Sequence, residues 1–521
     1  MFENIFSSIN SENLLKFKEN VFKSKKYWIS YLVFLAVIVL SIFNINNYQQ
    51  PFLELIVIGL VSFFGIVIIS FFNYHDDKDL YKTAFIIILL FGLLVCFLNP
   101  ICNVSDEIEH LTRADITSHG ILMPDYVNGS FKVSSFVPDF FEKSRALTVL
   151  QVSGDTAKIN NSMSTYHSAF QQNPFYPYIP QTIGILIAKF LDLNVIWVLW
   201  LGRIFNLLFY AFAVSYSVKK SPILKIPLIV TACIPICIQQ ASSFSIDGMF
   251  AGLGFLTVAH FFYYYKSEDF SISNIEIVKF SILCLLLGLC KLSFLGMILL
   301  LLCIPSSKFK DRYSKLYILS FIIILGVIGI LWSKFIAMPS YTHSWRAEYY
   351  KNHIINPPQQ TNYILHHPVD FAIAVLHIPN TLLNSSILSE FNTVHSVIPL
   401  QSKVYTSGFI SAIYPLFIGA IWLIYPKLEK INIFDRIGPF LVLIIIYAGT
   451  CILQLISWGM VGHLEDMALH ARYFFPLFAL IPFIFGFNSV NKKDKKLDLY
   501  IICLTIAFLA AFPIKLVALY Y

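Results

Sequence analysis

One ten-residue stretch gathers several side chains that could do chemistry: Val104-Ser105-Asp106-Glu107-Ile108-Glu109-His110-Leu111-Thr112-Arg113. A helix through it puts Asp106, His110 and Arg113 at i, i+4 and i+7, hence on one face, with Glu107 bordering that face three residues before His110. A carboxylate beside a cation could serve as a general base. Asp106 and Glu107 together could also hold a divalent metal, Mg or Mn, through hard oxygen ligands. The same residues read equally well as a helix start, with Ser105 as N-cap and the two acids set against the helix dipole.

Three further groups follow. Gln239, Gln240, Ser242, Ser243, Ser245 and Asp247 crowd one turn, and Asp247-Gly248 also reads as a plain helix start. Lys291 interrupts a long apolar run, where a lysine can bind phosphate as a point charge or snorkel to headgroups. The third runs from His463 to Tyr473. His463, Glu465 and His470 could ligate a metal or be solvated loop residues, whereas Arg472, with Tyr473 beside it, is the last charge before an apolar run and can reach an anionic headgroup or pyrophosphate. Arg203, with Asn206 nearby, is an intramembrane cation and a functional candidate by default. Trp345, Arg346, Tyr349 and Tyr350 could stack on a sugar or form an interfacial aromatic belt.

The elements that must position these residues are membrane helices. Of 521 residues 57% are hydrophobic and only 13% charged, about half the charge of a soluble domain. Mean hydropathy is +0.70, and apolar runs of about 20 residues, the length that crosses a bilayer, recur along the chain. This composition excludes a disordered chain, a disulfide-scaffolded secreted domain and a nucleic-acid binder. The formal charge of +7 is topological, because the lysines cluster between apolar runs. Cysteines lie mostly inside those runs, and no disulfide framework follows.

Expected spans are 27–43, 51–72, 83–99, 194–218, 222–240, 247–265, 276–290, 292–304, 316–336, 405–425, 437–458, 473–488 and 499–517. That makes an all-α polytopic membrane protein of about 13 transmembrane helices with two long outer loops, 100–173 and 337–404. The first loop carries eight acidic and five basic residues, as an outer segment should. Lysines 16, 18, 23, 25 and 26 put the N-terminus in the cytoplasm and the C-terminus outside, in a multi-pass protein of the plasma membrane. Phe175–Leu191, opened by Pro177 and Pro180, reads as an interfacial helix rather than a span. The run 280–304 splits at Lys291, since one long helix would strand that lysine at the bilayer centre.

With these residues in place, the chain resembles membrane glycosyltransferases of the GT-C superfamily. Those carry an acidic motif in the first long outer loop, a proline-rich interfacial helix, an Arg-containing helix, and a pair of short helices joined at a lysine. Here these are Asp106-Glu107, Asn173-Pro174-Phe175-Tyr176-Pro177, Gly202-Arg203 and Gly288-Leu289-Cys290-Lys291. More closely, it resembles a bacterial family of predicted membrane proteins, a domain of unknown function related to GT-C enzymes, with the pattern Pro-Pro-Asp-Glu-x-x-His. The matching segments are Ser105 to His110, Pro235 through Gln240-Ala241-Ser242 to Asp247, and Ala471-Arg472-Tyr473-Phe474-Phe475-Pro476. Val104 and Ser105 replace the two prolines, and Ala471 replaces a glycine.

The resemblance covers about 83–490. It divides the chain into a tail with an extra helix pair (1–82), a seven-helix GT-C-like module (83–336), and a second loop with a four-helix region (337–521). It implies transfer of a sugar from a polyprenyl-phosphate donor to a cell-envelope glycan or lipid acceptor, within membrane lipids and with no nucleic acid. Asp106 would be the base, with Glu107 and His110 orienting it or holding a metal. Lys291 and Arg472 would neutralise the phosphate, and Arg113, Arg203, Asp247 and Tyr473 would line the substrate site. A flippase, or a polymerase or ligase for lipid-linked glycans, is the competing class.

Overall fold

The computed structural model describes residues 11–43, 51–71, 80–104, 106–124, 130–144, 147–166, 170, 173–339, 350–381, 408–426, 430–464, 469–488 and 495–521. Within these the chain is almost entirely helical, with one two-stranded antiparallel ribbon. Short helix α1 (Ser11–Lys23) leads into α2 (Lys25–Phe43), α3 (Pro51–Phe71) and α4 (Leu80–Leu98). The first polar segment then folds as α5 (Glu107–Ser118), β1 (Phe131–Ser134), α6 (Phe136–Ser144), α7 (Val149–Val152), β2 (Met163–Tyr166) and α8 (Ile179–Phe190). The bundle resumes with α9 (Val195–Lys220), α10 (Lys225–Ala232), α11 (Pro235–Ala241), α12 (Asp247–Lys266) and α13 (Asn274–Cys290). A 3-10 helix over Leu292–Cys303 precedes α14 (Ser314–Trp332), α15 (Pro357–His366), α16 (Pro368–Thr381), α17 (Gly408–Leu423) and α18 (Ile433–Trp458). Last come a 3-10 turn (Ala471–Phe474), the one-turn helices α19 (Phe475–Phe478) and α20 (Ile481–Ile484), and α21 (Lys495–Tyr520).

Seven of these helices are long and apolar enough to cross a membrane: α2, α3, α4, α9, α14 with its π-helical extension to Ala337, α18 and α21. Of the other six expected spans, 247–265 and 276–290 are continuous helices, α12 and α13, 405–425 is α17 within the described residues, and 222–240, 292–304 and 473–488 are interrupted or wound as 3-10. The run 222–240 is not one helix but α10 and α11, because Pro235 cannot donate a backbone N–H and ends the first piece. Pro476 and Pro482 break 473–488 in the same way. Residues 292–303 wind as 3-10 rather than α, and the break at Lys291 falls where the charge argument puts it. The first long apolar helix, α2, lies beside the last, α21, in parallel. Tyr27 meets Tyr500 at 5.1 Å between ring centroids, and one turn pair further on Phe34 meets Phe508 at 5.3 Å.

The first polar segment packs Ile108, Leu111, Phe131, Val133, Phe136, Phe140 and Ile185 into an apolar core shared with the start of α9 (Val195, Val198, Leu199) and with Phe244 and Ile246. The strands pair from Phe131↔Tyr166 to Ser134↔Met163. Helix α8, at about 1.5 Å per residue, is only about 18 Å long and too short to span. Gly184 is what brings it onto α9, since a Cβ there would sit 2.5 Å from the Leu201 carbonyl carbon. Its exposed residues, Ile179, Ile183, Leu186 and Phe190, follow one helical stripe, as an interfacial helix requires.

Candidate functional site

The site is assembled from helix ends. Helix α4 finishes at Leu98, α9 starts at Val195, α12 starts at Asp247 and α13 finishes at Cys290, so all four termini lie at the same end of the bundle. The last residues of α21 join them: Tyr521 donates its hydroxyl to Leu98 O at 3.2 Å, and Asn103 Nδ2 donates to the Tyr520 hydroxyl at 3.1 Å. Lysines 82, 219, 220, 266 and 279 lie toward the other ends of these helices.

At the centre stand two carboxylates and two cations drawn from four distant parts of the chain. Asp247 Oδ1 is 2.9 Å from Lys291 Nζ, and Asp247 Oδ2 is 3.2 Å from Arg472 Nε. Arg472 Nη2 lies 3.7 Å from Asp106 Oδ2. The Lys291 ammonium also sits 4.2 Å from the Tyr473 ring centroid and 5.0 Å from that of Phe250, two cation–π contacts that hold it in place. Asp247 and Arg472 are buried, whereas the Asp106 side chain is 52% exposed. Asp106 thus offers an open carboxylate at the mouth of a charge-balanced centre.

The helix-start reading of Asp106 does not describe this geometry. Asp106 stands at the N-cap of α5, but in the left-handed region (φ 62°, ψ 16°), and its side chain makes no capping hydrogen bond. Residues other than glycine pay of order 1 kcal/mol or more to sit there, and such outliers cluster at functional sites. Asp106 stands at the start of the helix rather than within it, while His110 and Arg113 both reach Tyr178. Ser105 lies outside the described residues.

Glu107 has a different part. It is buried, and both its oxygens go to Arg203: Nε–Oε1 is 2.8 Å and Nη2–Oε2 is 2.7 Å. The Phe244 amide also donates to Oε1 at 3.3 Å. Arg203 spends its other donors on the carbonyls of Cys96, Asn99 and Pro100, which close the end of α4. The pair therefore ties α4, α5, α9 and the 239–247 turn together. All the Arg203 donors are taken within the protein and both oxygens of buried Glu107 already accept from it, so the pair is committed to joining these elements rather than to meeting substrate, which corrects the expectation for both. Arg203 already engages both Glu107 oxygens, so of the two expected metal ligands Asp106 is the open one. Among the described residues no group of three His, Cys, Asp or Glu side chains is arranged to hold a metal. Glu465 of the His463–Glu465–His470 set, and Trp345, Arg346 and Tyr349, lie outside the described residues; Tyr350 donates its hydroxyl to Ser457 O.

Arg113 is likewise structural rather than open to substrate. It donates to Thr117 Oγ1 (2.8 Å), Leu122 O (2.9 Å) and Asn173 O (3.2 Å), with its guanidinium 5.8 Å from the Tyr178 ring. His110 stays near the centre: Asp106, Asp247, Arg472 and Lys291 all act on it electrostatically. Its Nδ1 lies 2.8 Å from the Tyr178 hydroxyl. Burial pushes the imidazole down to about 4, more strongly than the two aspartates pull it up, so it is neutral at physiological pH. Tyr178 and Asn173 escaped sequence reasoning. The Asn173–Tyr178 segment carries only a proline-and-aromatic signature, and nothing in it points to a histidine 68 residues away.

The 239–247 turn holds Asp247 rigidly. Asn206 Nδ2 donates to Ser243 O (2.8 Å) and Ser245 O (3.0 Å), and Ser242 Oγ donates to Gly92 O (3.1 Å). Gly248 must be small, because a Cβ there would lie 2.8 Å from Ala241 Cα.

Fold and site together describe an all-α polytopic membrane protein with a charged centre at one end of its bundle. The chain belongs to the family described as Predicted membrane protein (DUF2142), whose family model matches residues 89–481. That match takes in Asp106, Glu107, His110, Arg203, Asp247, Lys291 and Arg472, and leaves out α1 to α3 and α21. No curated protein and no solved structure matches the chain.

Proposed function

We propose that this protein is a membrane glycosyltransferase. It moves a sugar from a polyprenyl-phosphate donor to a cell-envelope glycan or lipid at the outer face of the plasma membrane. The observation that carries the reading is Asp106: an exposed, non-capping carboxylate held in a left-handed conformation beside Arg472, which Asp247 in turn links to Lys291. Transfer from a lipid phosphate needs a base on the acceptor and positive charge where the phosphate departs, and this centre supplies both.

In this mechanism Asp106 takes the proton of the acceptor hydroxyl as its oxygen attacks the anomeric carbon from the face opposite the phosphate. The bond from that carbon to the phosphate oxygen breaks, and polyprenyl phosphate leaves with the electron pair. The configuration inverts. Lys291 and Arg472 offset the charge growing on the departing phosphate, with Asp247 holding both cations before substrate arrives. Glu107 and Arg203 act at one remove, by fixing the backbone that carries Asp106. The outward orientation rests on the lysines at the opposite helix ends, which the positive-inside rule assigns to the cytoplasm. The N-terminus would then be cytoplasmic and the C-terminus outside.

The test is transfer by the purified protein in nanodiscs, given a panel of polyprenyl-phosphate sugars and envelope-lipid acceptors, with released polyprenyl phosphate read by mass spectrometry. Release from wild type that Asp106→Asn abolishes supports the reading. Flipping of lipid-linked glycans without release would replace it with a transporter, and release unchanged in Asp106→Asn would remove the base.

A further inference from the structure

The network behind His110 has no part in the reaction as written, yet it decides what His110 can do. Asn173 Nδ2 donates to the Tyr178 hydroxyl at 2.8 Å, so that oxygen already accepts one proton from outside. Its own proton is then free for the second neighbour at 2.8 Å, His110 Nδ1. Asn173 is itself pinned, because Arg113 Nε donates to its backbone carbonyl at 3.2 Å, and Arg113 is anchored at Thr117 and Leu122. The ring of Phe170 packs on His110 at 4.7 Å between centroids and limits its rotation. Arg113, Asn173, Tyr178 and His110 thus form one hydrogen-bonded series that bears on which ring nitrogen carries the proton.

We infer that Tyr178 is a positioning residue: it donates to His110 Nδ1 and keeps His110 a neutral imidazole with its proton on Nε2, a hydrogen-bond donor for a phosphate oxygen of the bound donor lipid. This role rests on the transferase reading. The alternative, an imidazolium, would direct Nδ1–H at a hydroxyl that already accepts from Asn173, leaving the hydroxyl proton without that partner. It would also add a third positive charge to Lys291 and Arg472 against only two carboxylates, Asp106 and Asp247. Arg113, beside Tyr178, opposes that charge as well. A neutral donor adds a directed hydrogen bond without disturbing the charge balance, and its proton does not depend on pH near neutrality.

The experiment is nitrogen-15 NMR of histidine-labelled protein in nanodiscs, with His110 assigned by the resonances lost in His110→Gln. At pH 7 wild type should show an unprotonated Nδ1 and a protonated Nε2. A protonated Nδ1, alone or in an imidazolium, overturns the inference. Tyr178→Phe should convert this single tautomer into a mixture. In transfer assays the wild-type KM for the donor lipid should stay flat from pH 5.5 to 8, while Tyr178→Phe should raise it about two- to threefold at every pH in that range with kcat little changed, as expected when only part of the neutral imidazole carries its proton on Nε2. A fixed tautomer with an unaltered KM in Tyr178→Phe would remove the phosphate-binding role. If wild type transfers no sugar while the tautomer is as stated, the transferase reading has failed and the Tyr178–His110 relay has not. Should Tyr178→Phe not insert, the wild-type spectrum alone decides the tautomer.

Discussion

Asp106 and Glu107 are neighbours in the chain and occupy opposite environments: the Asp106 side chain is 52% exposed, whereas Glu107 is 1% exposed and clasped by Arg203. The left-handed turn at Asp106 produces the divergence, sending one carboxylate outward as the next goes into the bundle. Adjacent acids therefore have separable roles, and substitution should separate them.

For Asp106, Asn keeps the shape and Gly relieves the backbone strain. Asp106→Asn should insert and unfold like wild type, and Asp106→Gly should be as stable or more so, by up to about 1 kcal/mol. Both should lose sugar transfer by about 100-fold or more, the usual contribution of a general base. Parallel thermal unfolding and transfer assays check this; activity retained in Asp106→Gly would exclude the carboxylate from chemistry.

Glu107→Gln should instead cost stability, of order 3–5 kcal/mol, because it strands the Arg203 guanidinium in a dry interior. Replacing both partners with apolar residues should cost about as much as replacing Arg203 alone rather than the sum of the two singles, because the Cys96, Asn99 and Pro100 carbonyls lose their donor in either case. Melting temperatures of the two singles and the double in detergent provide the measurement, and additive losses would show that the residues do not act as a pair.

Lys291 is caged by Asp247, Tyr473 and Phe250. Lys291→Gln removes a hydrogen bond to a charged phosphate worth about 1.5–3 kcal/mol, so KM for the donor should rise roughly tenfold to a hundredfold. Binding of the acceptor alone should be unchanged, and titration of each ligand separately distinguishes the two.

Acid should act on the folded polar segment through Asp115. Burial alone would raise that carboxyl. The His119 hydrogen bond, the Lys189 ammonium at 2.9 Å and the Ser134 amide at 2.8 Å outweigh it and hold the group down at about 2. A depressed carboxyl stabilises the fold above its unfolded value near 4, and that stability is lost as pH falls toward 2. Protection of the β1 amides from hydrogen exchange should therefore weaken between pH 4 and 2 in wild type. Asp115→Asn should show weakened protection already at pH 7 and little further change over that range.

Gly248→Val should displace Asp247, since even a Cβ meets the Ala241 backbone. A loss of about 1–3 kcal/mol is expected, as for other overpacked sites. Lys291 and Arg472 would then lose their common partner, and donor affinity should fall with stability.

The sequence alone determined the class of fold. Apolar runs of bilayer length admit few structures besides membrane helices, because backbone groups in lipid must bond within their own segment. It also placed the break at Lys291, since a charge at the bilayer centre is costly, and marked Asp106, Asp247, Lys291 and Arg472 as candidates. Only the tertiary structure decided which charges meet. Helical spacing orders neighbours along one helix, but Asp247 meets Lys291 and Arg472 through helix ends that pack 44 and 225 residues further along the chain. The same packing commits Glu107 to Arg203 and Arg113 to backbone carbonyls, and it brings Tyr178 to His110. Spacing could not foresee these assignments, because each depends on which buried donor finds the nearest acceptor once the helices are in place.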